Sequence, residues 1–244
     1  MLCRYLFLLL TLLPAARAED AAVVIQKMLA HRAQKDFSLQ ARLDVTRDQS
    51  TNLTILVHNT PDETRTIFRA GTNELLIVQP VTGAPHWFLR GAGELTGARL
   101  MEKWLGSEFT FYDLGMPFLR WPDAKLIGES RTRGQDCLVL ELTATNQPYG
   151  RVKLWVEKNY FALLRVEAFD PNEALVRRLA ITSFRRLGEL WIPRGIEIAF
   201  IPPNQALPAE ERSRLEIYAG DYATQLPSEW FSKEALASSR LATH

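Results

Sequence analysis

Cysteine is almost absent from this chain: there are two in 244 residues, Cys3 and Cys137. Cys3 precedes an N-terminal apolar run, so it is placed neither as a lipoprotein acceptor nor as a partner for Cys137. A lone remaining thiol excludes an internal disulfide framework. In the run Cys137-Leu138-Val139-Leu140 it reads as a buried structural thiol. An excess of one charge is also missing. The 29 basic and 28 acidic residues leave a net charge of +1, which argues against a nucleic-acid binder. The four histidines, His31, His58, His86 and His244, do not pair at metal-ligand spacing. There is no Gly-rich phosphate loop and no Gly-x-Ser-x-Gly elbow. No fixed-period repeat or low-complexity tract is present. Past Leu13 no stretch is long and apolar enough to cross a bilayer as a helix, which takes about 20 residues.

The first residues have a different character. Arg4, the apolar run Leu6 to Leu13, Pro14 and the small-x-small triplet Ala16-Arg17-Ala18 make a cleavable export signal over residues 1–18. The mature chain is expected to begin at Glu19 and to work in the periplasm. At 47% hydrophobic it can bury a sizeable core as one domain, residues 19–244.

Residues Glu19 to Lys35 carry helical spacing, with Val23, Val24, Met28 and Leu29 on one side and Asp20 in the first turn. From Phe37 the period drops to two. Phe37, Leu39, Ala41, Leu43 and Val45 alternate with polar residues, which marks a half-buried strand. Further strands are predicted over 52–58, 64–69, 75–78 and 86–89. After an interruption they resume over 125–130, 137–144, 152–157, 163–169, 175–186, 190–201 and 214–222. Connections this short force antiparallel pairing of neighbours. A last helix, capped by Ser228, is expected over Ser228 to Leu236. So many strands without crossover helices must curl into a trough or incomplete barrel of about 11–12 strands, with its inner face filled or covered.

The interruption, residues 98–122, holds Trp104, Phe109, Phe111, Tyr112, Phe118 and Trp121 among turn formers. It reads either as a small core of its own or as an aromatic lid over the trough. Glu108 and Asp113 within it read as capping and turn groups. The paired arginines Arg177-Arg178 and Arg185-Arg186, and Arg131 with Arg133, read as a charged outer strand face.

Four segments resemble the outer-membrane lipoprotein-sorting family, the relatives of the periplasmic carriers LolA and LolB. They are the signal, helix and long first strand; Gly106-Ser107-Glu108-Phe109-Thr110-Phe111-Tyr112-Asp113-Leu114; Val152 to Lys158 followed by Leu163 to Asp170; and Gly188-Glu189-Leu190-Trp191-Ile192-Pro193. The family segment has a Tyr where this chain has Phe111. The resemblance spans nearly the whole mature chain and implies an incomplete antiparallel barrel with a helical lid over an apolar cavity. It implies a soluble monomeric carrier of lipoprotein acyl chains or another lipid, served by an inner-membrane transporter or exporter. No cofactor, metal or catalytic residue is expected. The expected ligand-facing residues are Trp104, Phe109, Phe111, Phe118 and Trp121 in the lid, and Leu43, Ile55, Phe68, Ile77 and Trp155 in the trough. The alternative is a non-catalytic sensor or exporter-associated binding module on the same fold. An enzyme is the third reading, and it requires ionisable groups clustered inside the trough.

Overall fold

The computed structural model describes residues 20–30, 35–202 and 212–238. The expected export signal lies outside these residues. Thirteen strands form one antiparallel sheet. They are β1 (Phe37–Asp44), β2 (Ser50–Asn59), β3 (Glu63–Ala70), β4 (Asn73–Pro80), β5 (His86–Leu89) and β6 (Gly93–Leu95), then β7 (Asp123–Thr132), β8 (Gln135–Thr143), β9 (Arg151–Glu157), β10 (Leu163–Phe169), β11 (Leu175–Leu187), β12 (Leu190–Phe200) and β13 (Arg212–Tyr222). The spatial order is β6-β5-β4-β3-β2-β1-β13-β12-β11-β10-β9-β8-β7. The sheet is therefore a chain of hairpins closed in the middle by β1 on β13, and left open between β6 and β7. All twelve expected strands are present. The thirteenth, β6, has three residues and is too short to show alternation.

Register shows why this sequence folds this way. Leu39, Ile55, Phe68, Leu75 and Leu89 stand opposite one another across β1 to β5. They lie in the inner core, which runs continuously from these strands to β13. One residue out of phase, Leu56, Ile67, Leu76 and Phe88 form a second row on the outer face. That row is covered by Phe231 and by Leu236 of α3 (Lys233–Ala237). Opposite faces of one strand are thus both apolar where a helix covers the outside.

Helix α1 (Ala21–Ala30) buries Ala21, Val24 and Ile25 against the inner face. Two details differ from expectation. Val23 is exposed and Ile25 takes its place, because the buried stripe is narrower and rotated. Asp20 caps rather than enters the helix, accepting from Ala22 N–H at 3.1 Å. At the other end of the chain, Ser228–Phe231 is a 3₁₀ turn. The cap of α3 is Ser232, whose Oγ accepts from Ala235 N–H at 3.0 Å, not Ser228. Among the described residues no helix is long and apolar enough to cross a membrane.

The edge strand β7 is blunted by a bulge between Leu126 and Gly128, which disrupts the ladder an extra strand would need. Between β6 and β7 lies the insert. It contains 3₁₀ turns at Gly97–Met101, Trp104–Gly106 and Pro117–Arg120, and the short helix α2 (Phe111–Gly115). Gly115 packs against Trp87 of β5, and a Cβ there would come within 2.4 Å of the indole Cζ2. Gly115→Ala is expected to cost about 1–3 kcal/mol through overpacking, read as a lowered midpoint in urea unfolding.

Candidate functional site

The inner face of the trough is the site, and the insert sits in it. Trp104, Phe109, Phe111, Tyr112, Phe118 and Trp121 are all buried in the main core. They do not form a separate small core. Tyr112 links the two open margins of the sheet. Its ring stacks on Trp87 of β5 at 6.4 Å and meets Tyr149, beyond β8, edge-on at 5.4 Å. Phe68 of β3 meets Trp104 edge-on at 5.6 Å. The segment joining the edge strands therefore also fills the space between them.

Of the ligand-facing residues expected in the sheet, Leu43, Ile55, Phe68 and Ile77 lie in this inner core, together with the insert aromatics. Trp155 does not. Val152, Leu154 and Val156 point inward, so the two-residue period turns Trp155 outward, where the Arg165 guanidinium covers its ring at 4.5 Å. Trp155 is corrected to an outer-face residue.

A buried polar cluster holds the insert down. In a capping box, Thr110 Oγ1 accepts from Asp113 N–H and Asp113 Oδ2 accepts from Thr110 N–H, both at 3.1 Å. The Thr110 hydroxyl donates to the same Oδ2 at 2.7 Å, and the Tyr149 hydroxyl donates to Asp113 Oδ1 at 2.7 Å. Arg177 of β11 donates through Nη1 to Glu108 O at 2.9 Å and to Glu108 Oε2 at 3.2 Å. Its Nε lies 3.8 Å from Asp113 Oδ2. Lys103 makes a second ion pair with Glu108. Ser213 of β13 accepts from Glu108 N–H and donates to Val45 O, each at 2.9 Å. Two carboxylates thus meet two cations, and the donors and acceptors are matched as burial requires.

Arg177 corrects the reading of the paired arginines. It stands opposite Ala168, an inner-face residue, and is 8% exposed. Only Arg178 of that pair faces outward. The signal was present in the alternation of Arg177 with Leu179 and Ile181, both buried. Tyr149 and Ser213 carried no comparable signal, because their roles depend on groups far away in sequence. Asp113 does bond a backbone N–H within the insert, as its position suggested, but Glu108 serves as an ion-pair partner rather than a cap.

Burial pushes the Tyr149 phenol well above its ordinary range, and the Asp113 charge adds to this. Burial does the same for Tyr112 and raises the Cys137 thiol. Cys137 is fully buried, as its apolar run suggested. The ionisable cluster that an enzyme would need inside the trough is present, but its members engage one another beneath the insert. Acid–base chemistry requires the proton to be within reach of a substrate. What this cluster does in the observed geometry is anchor.

Away from the cluster, at the end of the trough, a cleft of about 300 Å³ remains. It is walled by α1, the ends of β1 to β4, the Pro117–Arg120 turn and the β11–β12 hairpin. Among the described residues no group of three or more His, Cys, Asp or Glu could hold a metal.

An open antiparallel sheet curled around an internal helix and an anchored insert defines the LolA-like incomplete barrel. Residues 89–238 match a family model described as "Uncharacterized protein", and the chain belongs to that family. Among solved structures it is similar to an outer membrane lipoprotein-sorting protein domain from Vibrio parahaemolyticus. The TM-score is 0.77 at 16% identity, covering 88% of this chain and 97% of that one. A DUF1329 family protein from Desulfovibrio piger gives 0.74 at 16% identity, over 88% and 97%. A LolA superfamily protein from Nitrosomonas europaea gives 0.60 at 19% identity, over 89% and 100%. These likenesses establish the fold. No curated protein matches the sequence.

Arg177→Met is expected to strand Glu108 and Asp113 and to cost about 3–5 kcal/mol. Hydrogen exchange of the amides at 107–114 should speed up more than exchange in β1 or β2. The tyrosines predict a pH dependence of definite sign. Their folded pKa values lie above the unfolded value of about 10, so the neutral forms are favoured in the fold. Stability from this source is complete below about pH 10 and declines above it, as the unfolded chain ionises. Tyr149→Phe should weaken that decline in alkaline urea titrations.

Proposed function

We propose that the chain is a soluble periplasmic carrier, a single domain over residues 19–244, that shelters lipoprotein acyl chains or another lipid in its trough. The observation that supports this is how the insert is held. Among the described residues, the hydrogen bonds between the insert and the sheet each use a side chain on at least one side, and the insert's backbone-to-backbone bonds are internal. The insert can leave without breaking a strand ladder. Its departure uncovers an apolar face lined by Leu43, Ile55, Phe68 and Ile77.

The magnitudes are compatible with exchange. Each methylene buried contributes about 0.8 kcal/mol, so an incoming acyl chain replaces in kind the apolar burial that the insert aromatics give up. Released Glu108, Asp113 and Arg177 become hydrated, which limits the cost of breaking the anchor. The insert aromatics act as a stand-in for ligand in the closed form. No catalytic residue is required. The export signal at residues 1–18 supplies the compartment, and an inner-membrane transporter or exporter supplies the cargo. The lipoprotein-sorting description of the Vibrio domain supports this reading by shared fold.

Native mass spectrometry of protein purified from its own envelope fraction tests it. Co-purifying lipid or lipoprotein is expected, with faster hydrogen exchange across residues 98–121 in the loaded form. Protein that stays ligand-free after incubation with lipoprotein and with phospholipid vesicles would overturn the proposal.

A further inference from the structure

Two indoles in the trough are buried without an acceptor. Trp87 is 5% exposed and Trp104 is 3% exposed. Both lie in the inner core, and the Nε1 of each has no hydrogen-bond partner among the described residues. A buried indole N–H ordinarily finds an acceptor, because leaving it unpaired forfeits the bond it made to water. Trp104 belongs to the insert and moves with it. Trp87 belongs to β5 and stays on the sheet, so its unmet donor is a property of the trough itself.

Two residues of the insert cover Trp87. Tyr112 stacks on its ring. Gly115 lies against the edge that carries the N–H: a Cβ on Gly115 would stand 2.7 Å from Nε1 and 2.7 Å from Cε2. Gln79 of β4 reaches the same residue, donating from Nε2 to Gly115 O at 2.9 Å. Ile77 stands opposite Trp87 across β4 and β5, and Gln79, two residues further along β4, shares its face. Donors from neighbouring strands thus meet at one residue of the insert. The Gly115 carbonyl answers Gln79, while only hydrocarbon and backbone press on Trp87.

We propose that Trp87 and Gln79 form a slot for the carbonyl of an ester- or amide-linked acyl chain, and that Gly115 occupies this slot in the closed form. The inference rests on the carrier reading and deepens it. When the insert leaves, both donors face the emptied trough beside Ile77. An acyl carbonyl oxygen has two lone pairs, one for each donor, and its alkyl chain continues over the apolar floor of Ile55, Phe68 and Ile77. A chain joined through an ether buries similar apolar surface but brings no carbonyl to Trp87. The slot therefore reads the linkage, where the rest of the inner face reads only apolar surface.

Isothermal titration with two matched pairs of ligands tests this. One pair is dioctanoyl phosphatidylglycerol and its dioctyl ether analogue; the other is a synthetic peptide with a diacylglyceryl cysteine and its dialkyl ether form, each used below its micelle concentration. Wild-type protein is expected to bind the ester member of a pair about tenfold more tightly than the ether, the size of one hydrogen bond. A larger ester preference in the peptide pair points to lipoprotein as the source of the carbonyl, and in the phospholipid pair to phospholipid; either supports the slot. Trp87→Phe keeps an aromatic ring and removes the N–H. It should remove the ester preference, leave ether binding unchanged, and abolish the low-frequency shift of an isotope-labelled ester carbonyl stretch that binding to the wild type produces. Gln79→Met should reduce the same preference. The ratio of ester to ether is read within each protein, so a general weakening of the fold, which lowers both affinities, does not imitate the result. Equal affinity for ester and ether in the wild type overturns the inference without recourse to any variant and leaves the carrier reading standing. An ester preference that survives intact in both variants overturns the assignment to this slot. Binding of none of the four ligands overturns both readings.

Discussion

A curled sheet with two unpaired margins must be closed by something other than strand pairing, and the rest of this molecule follows from how that is done. The margins are β6 and β7, and the chain between them is the insert. One segment therefore crosses the gap, fills the interior and touches both sides, through Trp87 and Tyr149 around Tyr112. Closure by strand pairing would be hard to undo, because removing a strand orphans a row of backbone groups. Closure by side chains separates the stability of the sheet from the position of the plug.

The anchor of that plug is polar although its surroundings are apolar. Burial of Glu108, Asp113 and Arg177 contributes little net stability compared with well-packed hydrocarbon. It does fix one position. An aromatic insert held by packing alone could slide by a residue at small cost, whereas Arg177 satisfies Glu108 and Asp113 together in a single register. The same groups lose little when exposed, since water solvates them. An anchor of this kind specifies one register of the insert sharply while adding little net stability of its own.

Much of the fold was legible because strand alternation is a local property. Leu39, Ala41 and Leu43 announce an inward face whatever they pack against, and twelve strands could be placed this way. β6 escaped because three residues cannot display a period. Trp155 falls on the outer face because Val152, Leu154 and Val156 hold the inward phase of β9. Arg177 was hidden by its neighbour Arg178, the pair reading as surface charge. The cap of α3 shifted from Ser228 to Ser232 because Phe231 must reach the outer row of Leu56, Ile67 and Leu76, and the intervening 3₁₀ turn delivers it there.

The sequence by itself determined the class of architecture, the inward and outward faces of most strands, and the location of an irregular aromatic segment, since each rests on periodicity or its absence within a few residues. Only the tertiary structure decided that this segment lies inside the trough rather than across its mouth. It also decided that Arg177, Tyr149 and Ser213 converge on it. Those outcomes depend on which strands become neighbours after the sheet curls. Contacts such as Glu108 with Ser213 join positions 105 residues apart, a separation over which local pattern carries no information about direction or distance.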